Sequence, residues 1–413
     1  MKKLGIGYVG CGGRGLGVLR GLLGMEDVEV RCICDRQPDR LEMGMEAVRA
    51  AYNHDIDGTL NHKELVARDD IDAVIIPSSW NDHLPVAIDA MNAGKYAAFE
   101  IGAVASVEQC WELVRTAERT GMHAMALENC CYGKNELTVL NMIKKGLFGE
   151  LVHVQGGYQH DLRAMVVDRM EDGHERTYHN LHRCGELYPT HELGPIQTFL
   201  NINRGNRMLT LSAMSCKPRG LHKYAVDKYG ADSEKGQLDF VNGDVTTTLI
   251  KCAHGETIVL THDILTPRPY SRGGRVQGTK GLWMEDNASI YIDGRSPAHQ
   301  WEKMEDYLEE YEHPLWKQFK KNMKGGHGGM DYLVMRGFLE AVRNKTAPPI
   351  DVYDSATMIV VSCLSEQSIA MGGAPVPIPD FTDGKWIKRG PAPKSIFSLT
   401  EVDDSLYNDD IEI

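Results

Sequence analysis

Tyr188 and His191 are the two residues whose types and spacing suggest catalysis most directly. They lie in the segment RCGELYPTHELGP, which occupies residues 183–195. A tyrosine and a histidine three positions apart can share one side of a helical turn, so both could reach one reacting atom. The same spacing would suit two side chains that satisfy each other in a packed corner. The segment alone leaves both interpretations open.

A second informative segment, GCGGRG at residues 10–15, lies near the N-terminus and has the form G-x-G-x-x-G. It follows an apolar run and opens a helical pattern, so its glycines permit a tight turn and close approach to a pyrophosphate. Asp35 ends the next predicted strand, where it can accept hydrogen bonds from an adenosine ribose. The pattern predicts a dinucleotide site with contacts at Gly10, Gly12, Gly13, Arg14, Gly15 and Asp35.

The identity of that dinucleotide depends on two adjacent residues. Asp35 favours NAD over NADP, because its carboxylate suits a free ribose 2′-hydroxyl. Arg36 weakens the preference, since a guanidinium can hold a 2′-phosphate. The prediction is NAD, with NADP left open.

Polar residues also follow the later strands of this N-terminal region. The stretch WNDH (residues 80–83) follows one predicted strand, Glu100 ends the next, and Asn129 follows the one after. The carboxyl ends of strands line the ligand crevice in a doubly wound sheet. We therefore expect Trp80, His83, Glu100 and Asn129 near a bound nicotinamide.

The elements that must position these residues fall into two patterns. Short apolar runs at 4–9, 28–34, 72–77, 96–100 and 123–128 alternate with helical stretches at 15–23, 40–51, 84–93, 107–119 and 136–145. This alternation indicates a parallel sheet covered on both faces. We predict an α/β Rossmann domain with a doubly wound parallel sheet over residues 1–148.

Residues 149–413 show the second pattern. Strand-like runs at 150–161, 208–216, 245–252, 257–262, 274–278 and 289–292 follow one another without long helices between them. Helical patterns return at 331–343 and 354–371, and the chain after Pro375 is proline-rich. We predict a substrate-binding and oligomerisation α+β domain with an open, largely antiparallel sheet and a C-terminal wrapping tail.

Composition excludes several classes of partner. The 413 residues carry a formal net charge of −13, which argues against nucleic acid and against an anionic membrane surface. Apolar runs stay below the roughly 18 residues that span a bilayer. The ten cysteines form no C-x-x-C pair, so we predict no metal site. The chain as written predicts a cytoplasmic protein, or a periplasmic or secreted one if a leader has been removed.

Several motifs together resemble one known family. The two-domain pattern is similar to the Gfo/Idh/MocA oxidoreductases, although Glu100-Ile101-Gly102 replaces the Glu-Lys-Pro of many dehydrogenases there. The stretches WNDH, ENCCYG, GGYQHDLR, LYPTHELGPI, NINRGNR and TPRPYSR, in that order, resemble glycoside hydrolase family 109. That resemblance implies hydrolysis of glycosides, best known on α-N-acetylgalactosaminides, with a retained NAD.

The resemblance also implies site residues. Cofactor contacts would be Gly13, Arg14, Asp35, Trp80, Asn81, Asp82, His83, Glu100, Ile101, Asn129 and Tyr188. Substrate contacts would be Tyr158, Arg176, Tyr188, Pro189, Thr190, His191 and Tyr270. Arg176 is the least secure, because a Trp-Arg pair usually stands where this chain has HERTYHNLHRCG. His160, His179, His182 and His327 are weaker candidates, and His327 lies in a glycine-rich loop that could close over a substrate.

The implied reaction breaks the glycosidic bond without net oxidation. The sugar is oxidised at C3, loses its C1 substituent by elimination, adds water and is reduced again at C3. We assign the proton transfers at C2 and C3 to Tyr188 and His191 jointly. A tyrosine could act as a base only if a neighbouring positive charge or the nicotinamide ring lowered its pKa.

Two other functions remain open from the sequence. One is an NAD-dependent sugar or polyol dehydrogenase, and the other is a sensor that binds both ligands without turnover. The partners we expect are a small glycoside and further copies of this chain, in a dimer or tetramer.

Overall fold

Two sheets organise the chain, of which the computed structural model describes residues 2–172, 174–320 and 325–407. The strands of the first sheet are β1 (Leu4–Val9), β2 (Val28–Cys34), β3 (Asp57–Thr59), β4 (Ala73–Ile76), β5 (Tyr96–Phe99) and β6 (Ala124–Ala126). They pair in the order β3-β2-β1-β4-β5-β6, all in parallel. The four residues of β4 are completely buried, as expected for a strand covered on both faces.

Helices accompany these strands as the alternating pattern predicts. They are α1 (Gly13–Leu23), α2 (Pro38–Tyr52), α3 (His62–Val66), α4 (Trp80–Asn92), α5 (Val107–Thr120) and α6 (Lys134–Lys144). The predicted doubly wound parallel sheet is therefore confirmed. Since α6 ends at Lys144 and the next strand begins at Leu151, the predicted division between residues 148 and 149 falls in the connecting turn.

The second sheet is wider and mostly antiparallel. Its strands are β7 (Leu151–Gln159), β8 (Met208–Ser215), β9 (Val245–Cys252), β10 (Thr257–Asp263), β11 (Arg275–Gly278), β12 (Gly281–Met284), β13 (Ser289–Ile292), β14 (Glu302–Lys303) and β15 (Val376–Pro377). They pair in the order β14-β13-β12-β11-β7-β10-β9-β8-β15. Only β7 and β10 pair in parallel among the described strands of this sheet. The prediction of an open, largely antiparallel sheet is confirmed.

More helices accompany this sheet than the sequence pattern indicated. They are α7 (Arg163–Asp168), α8 (Glu175–His182), α9 (Thr190–Phe199), α10 (Gly220–Tyr229), α11 (Leu308–Tyr311), α12 (Pro314–Phe319), α13 (Met330–Asn344) and α14 (Val352–Ala370). Three helices of 8 to 10 residues, α8, α9 and α10, lie between strands β7, β8 and β9, where the sequence showed no long helix. Polar residues make up much of α8 and α10, so neither presents a continuous apolar stripe.

Helix α9 lies directly on the backbone of β7. A Cβ at Gly156 would overlap the side chain of Glu192, so the absence of a side chain there allows the helix its close approach. The helix begins immediately after Pro189 and places His191 in its first turn. The second sheet thereby carries the segment that the sequence marked as chemically informative.

Helix α14 joins the two sheets into one structure. It packs on β8 and also on β6 and α5 of the first sheet. Ser355 accepts a hydrogen bond from the backbone N–H of Ala126 (2.9 Å), and Ser362 accepts one from Val104 (3.1 Å). Within the described residues, no helix has the length and apolar character needed to cross a bilayer.

Candidate active site

A cavity of about 1070 Å³ opens where the carboxyl edge of the first sheet meets the second sheet. Both parts of the chain contribute to its wall. The sequence-predicted residues that line it are Gly10, Gly12, Gly13, Arg14, Gly15, Asp35, Trp80, Asp82, His83, Glu100, Ile101, Asn129, Tyr158, Arg176, Tyr188 and His191. The structure thus places the dinucleotide motif and the Tyr–His segment against the same space.

Four predicted contacts lie outside this lining. Asn81 is exposed on the outer side of its helix, whereas Pro189 and Thr190 are buried behind the wall. Tyr270 is 47% exposed and lies beside the cavity, with its ring centroid 5.2 Å from that of His160 and 6.3 Å from that of Tyr158. Their assignment as cofactor or substrate contacts stays a prediction.

The glycine-rich loop has the geometry that a dinucleotide requires. Gly10 has φ +111°, and a Cβ there would lie 2.6 Å from Ser78 Cα, so only glycine is tolerated. Helix α1 begins at Gly13 after an extended Gly12 that has no capping side chain, so its first N–H groups can face an anion. Asp35 Oδ2 accepts a hydrogen bond from Cys11 N at 2.7 Å, and Oδ1 accepts one from Gln37 N at 2.9 Å. These bonds fix the carboxylate beside the loop. The glycine-rich loop, the start of α1 and Asp35 therefore fit a bound dinucleotide.

Arg36 is held by an acidic neighbour. Its guanidinium lies 2.9 Å from a carboxylate oxygen of Asp82. This pair would have to open before Arg36 could hold a 2′-phosphate.

His191 and Glu128 form a hydrogen-bonded pair against the cavity. Nδ1 of His191 lies 3.0 Å from Oε1 of Glu128, which also accepts from Cys130 N at 2.9 Å. Burial raises the pKa of Glu128, whose side chain is wholly inaccessible, but contacts with His191, Thr190 and the backbone N–H of Cys130 together outweigh burial and lower it. A carboxylate at this distance can accept a hydrogen bond from Nδ1–H of His191, and in that tautomer Nε2 carries the lone pair that can act as a base.

The same corner contains a third potential ligand atom. Glu128, Cys130 and His191 offer an oxygen, a sulfur and a nitrogen within 4.8 Å of one another. Burial raises the pKa of the Cys130 thiol well above its usual value, so this thiol is protonated unless a cation binds beside it.

Aromatic rings and one guanidinium form the adjacent wall. The Arg176 guanidinium carbon lies 4.5 Å from the ring centroid of Tyr188, 5.2 Å from that of Trp80 and 5.6 Å from that of Tyr158. The rings of Tyr188 and His191 lie 5.0 Å apart at 87°. Tyr188 precedes α9 instead of sharing its first turn, so the expected proximity is present without the expected helical turn.

Tyr188 is not prepared to act as a base in this structure. The positive charge that could lower its pKa is present in Arg176. Burial outweighs that charge and raises the pKa of Tyr188 well above its ordinary value, since the residue is only 8% exposed. Burial thus disfavours the ionised form of Tyr188, and its hydroxyl is suited to donating a hydrogen bond.

Three carboxylates around the cavity are absent from the sequence-predicted contacts. Glu128 lies beside Asn129 at the same strand end, and the strand-end rule that selects Asn129 applies to it equally. Glu175 accepts a hydrogen bond from Trp80 N at 2.6 Å, and burial raises its pKa to about 7. Asp331 accepts from Arg14 and from Asn129. The local sequence around Glu175 and Asp331 carries no comparable signal.

The weaker histidine candidates occupy different positions. His160 lines the cavity, and its Nδ1 lies 3.2 Å from the Tyr158 hydroxyl. His179 stacks on Trp80 with ring centroids 4.7 Å apart, and burial lowers its pKa to about 4. His182 contacts Tyr178, and His327 lines the cavity. Their involvement in chemistry stays a prediction.

Comparison with known sequences accounts for both parts of the chain. Residues 132–388 match the C-terminal domain of glycosyl hydrolase 109, and residues 4–127 match an oxidoreductase family with an NAD-binding Rossmann fold. An α-N-acetylgalactosaminidase from Tannerella forsythia is 42% identical over 414 residues, covering 94% of this chain and 88% of that protein. A glycosyl hydrolase family 109 protein from Stenotrophomonas maltophilia (strain K279a) is 44% identical over 416 residues, covering 94% and 91%.

The chain belongs to glycosyl hydrolase family 109. This confirms the resemblance seen in the motifs. The family 109 protein is an enzyme, a glycosidase with an NAD-binding Rossmann domain.

Solved structures support the same architecture. An NAD-binding oxidoreductase from Klebsiella pneumoniae superposes with a TM-score of 0.70 at 16% identity, covering 92% of this chain and 99% of that one. An inositol dehydrogenase homologue from Azotobacter vinelandii, complexed with NAD⁺, gives 0.66 at 17% identity, covering 91% and 97%. At this identity the likeness shows the fold of the family 109 enzyme and not a dehydrogenase activity.

Proposed function

We propose that this family 109 enzyme hydrolyses α-linked N-acetylgalactosaminides with NAD retained in its Rossmann domain. The observation that carries the proposal is the Glu128–His191 pair, of which His191 lines the same cavity as the glycine-rich loop. The name of the Tannerella forsythia relative supports the sugar. NAD-binding relatives of the first domain support the cofactor.

A bound NAD would supply the capacity to take a hydride from the sugar and return it. Gly10, Gly13 and Asp35 would hold its pyrophosphate and adenosine ribose. Because the cavity spans both sheets, a sugar placed against the nicotinamide would also lie against Tyr158, Arg176 and His191. This placement supports reversible oxidation at a ring carbon as the route to cleavage of the neighbouring bond.

His191 and Tyr188 divide the proton chemistry. Two protons leave the sugar, one from the C3 hydroxyl as the hydride is removed and one from C2 as the C1 substituent is expelled. His191, oriented by Glu128, accepts the first, passes it to solvent and then accepts the second, and both are returned when water has added at C1 and C3 is reduced. Tyr188 retains its own proton and donates a hydrogen bond to a sugar oxygen, because burial and not Arg176 dominates its pKa. The positive charge of Arg176 stabilises negative charge that develops on that oxygen.

The test uses the purified protein without added NAD. An aryl α-N-acetylgalactosaminide is incubated in D₂O beside the matched aryl α-galactoside. We expect release of the aryl group, deuterium at C2 of the released sugar, and no net accumulation of NADH. Hydrolysis without deuterium at C2 would exclude elimination, and NADH formed in proportion to free sugar would favour the dehydrogenase alternative.

We also propose that the enzyme assembles from copies of itself. The open face of the second sheet carries apolar side chains, among them Leu249 at 50% exposure and Met214 at 68%. Met214 lies opposite Thr247, two residues from Leu249 on the same strand, so both share this face. Light scattering of the purified protein tests the proposal, with a dimer or tetramer as the expected mass.

A further inference from the structure

We propose that Asp331 is the residue that keeps the dinucleotide in its cavity, by fixing two cofactor-contacting side chains from outside the cavity wall. The inference rests on the proposed function only in that the cofactor is an NAD retained between turnovers. Asp331 is not among the residues that line the cavity. It is therefore a positioning residue, which acts through Arg14 and Asn129.

Asp331 is the centre of a group that we call the Asp331 cluster, formed with Arg14, Asn129 and His327. Arg14 Nη1 donates to Oδ2 at 2.7 Å, and Nη2 donates to Oδ1 at 3.0 Å. Asn129 Nδ2 donates to Oδ1 at 2.6 Å. His327 Nδ1 lies 2.9 Å from Oδ2. Both oxygens of one carboxylate are thus used by three side chains.

The positive charge of Arg14 balances the negative charge of Asp331 within the cluster. Burial alone would raise the pKa of Asp331, but hydrogen bonds from His327 and Arg14 together outweigh it and lower the pKa well below the usual range. Arg14 also donates through Nε to Glu100 at 2.9 Å. Two charge-assisted bonds to Asp331 and this contact to Glu100 leave the guanidinium little freedom to rotate.

The cluster spans the part of the sheet edge where the cofactor is expected. Arg14 follows β1, Glu100 follows β5 and Asn129 follows β6, and the sheet order separates β1 from β6 by two strands. Asp331 lies in the first turn of α13, which belongs to the other part of the chain. A dinucleotide bound along these strand ends would contact Arg14 and Asn129, which both line the cavity. We expect its release to require movement of these side chains and hence loss of the Asp331 contacts.

The far end of the same helix supplies a matched control. Arg336 and Arg343 of α13 both donate to Asp27, at 2.7 Å and 2.9 Å. Asp27 precedes β2 and is absent from the cavity lining. Asp27→Asn therefore weakens the attachment of α13 to the first sheet without touching the cofactor contacts.

The experiment measures the release of NAD, not glycoside hydrolysis. Wild type, D331N, D331E, H327A and D27N are loaded with NAD, passed over a desalting column, and sampled over time for protein-bound dinucleotide. We expect D331N to lose NAD at least tenfold faster than wild type, with partial recovery in D331E. H327A, which removes one half-exposed partner, should lose NAD two- to threefold faster, and D27N should stay within twofold of wild type.

Two outcomes would overturn the proposal. One is a D331N or H327A protein that releases NAD at the wild-type rate. The other is a D27N protein that releases NAD as fast as D331N, which would assign retention to the attachment of α13 in general. D331E decides the question if D331N does not fold, because it keeps the charge and displaces the carboxylate from Arg14 and Asn129.

Saturating added NAD separates positioning from chemistry. If Asp331 acts through retention, D331N should recover kcat within about threefold of wild type and keep a raised requirement for NAD. A kcat that stays low at saturation would assign Asp331 a role in the reaction and overturn the proposal. Wild type that retains NAD but releases no aryl group would contradict the proposed function alone.

Discussion

Two carboxylate–histidine pairs border the same cavity, and their hydrogen-bond distances are nearly equal. Glu128 and His191 are 3.0 Å apart, and Asp331 and His327 are 2.9 Å apart. Their surroundings differ: the side chains of Glu128 and His191 are 0% and 14% exposed, whereas those of Asp331 and His327 are 17% and 56% exposed. The same two functional groups therefore meet in two different dielectric environments.

The difference explains why only one pair suits proton transfer. Glu128 has no contact with water, so its charge acts on His191 without screening and fixes the ring. Asp331 divides its charge between Arg14, Asn129 and His327. His327 is the most exposed of these partners, and water competes for it. Burial is thus the basis on which we propose a chemical role for the first pair and a positioning role for the second.

Removal of the buried histidine should have the largest effect. In H191A the sugar loses its proton acceptor, so we expect kcat to fall about 10³-fold, with bound NAD unchanged. Initial rates on an aryl glycoside and the dinucleotide content of the same sample provide the measurement. The matched control is H254A, which removes an exposed histidine in the β9–β10 turn. An H191A protein with more than a tenth of wild-type kcat would contradict the assignment.

Substitution of Glu128 by glutamine should cause the second-largest loss of kcat. The amide oxygen of E128Q can still accept from His191 Nδ1 and from Cys130 N, but it carries no charge and so stabilises a protonated His191 less than the carboxylate does. We expect kcat to fall about 10²-fold, with little change in melting temperature because the shape is retained. Retention of NAD should equal that of wild type, in contrast to D331N. Equal kcat losses in E128Q and D331N would abolish the distinction between the two pairs.

Glu175 is a cavity carboxylate without a histidine partner, so its pKa and the pH dependence of stability show the effect of burial on such a group. Burial raises its pKa to about 7 from the usual 4.5, so the folded protein binds this proton more tightly than the unfolded chain. Its contribution to stability is then present at low pH and is lost as the pH rises from 4.5 through 7. Relative to E175Q, wild type should lose about 2 kcal/mol between pH 5 and 8. Parallel denaturant titrations of the two proteins check this, and a pH-independent difference would contradict it.

His327 should give the smallest effect. Asp331 raises the pKa of His327, so the stability that this pair adds is complete below about pH 6.5 and is lost as the pH rises through the folded-state value. We expect H327A to be less stable than wild type by under about 1 kcal/mol at pH 6, and equal to it at pH 9. Melting curves at both pH values, with and without 0.5 M salt, measure the difference. A difference that survives high pH and salt would indicate a packing role.

The parallel sheet could be predicted from sequence because burial acts on consecutive residues. The runs at 4–9 and 28–34 coincide with β1 and β2, since strands covered on both faces must be apolar throughout. Strand β3 escaped notice because its three residues, Asp57, Gly58 and Thr59, are partly or fully exposed. Its place at the sheet edge depends on its neighbours and not on its composition.

The site could be predicted only where a local rule applies. The glycine-rich loop, the strand ends and the Tyr–His segment are short motifs, and the cavity gathers most of their residues. Glu128 pairs with a histidine 63 positions away, and Asp331 pairs with an arginine 317 positions away. Such pairs come from the packing of one domain on another, for which a single sequence gives no periodic signal. The raised pKa of Tyr188 also follows from burial, which spacing does not reveal.

The contact of α9 with the bare backbone at Gly156 has a consequence for any redesign of this enzyme. The distance of His191 from the second sheet depends on the absence of a side chain at Gly156. Even a single methyl group at position 156 would overlap the side chain of Glu192. Helix α9 could remove this overlap only by moving its first turn away from β7. Changes of sugar preference are therefore better sought around the rim, at positions such as Tyr270, than in the strand on which the catalytic helix rests.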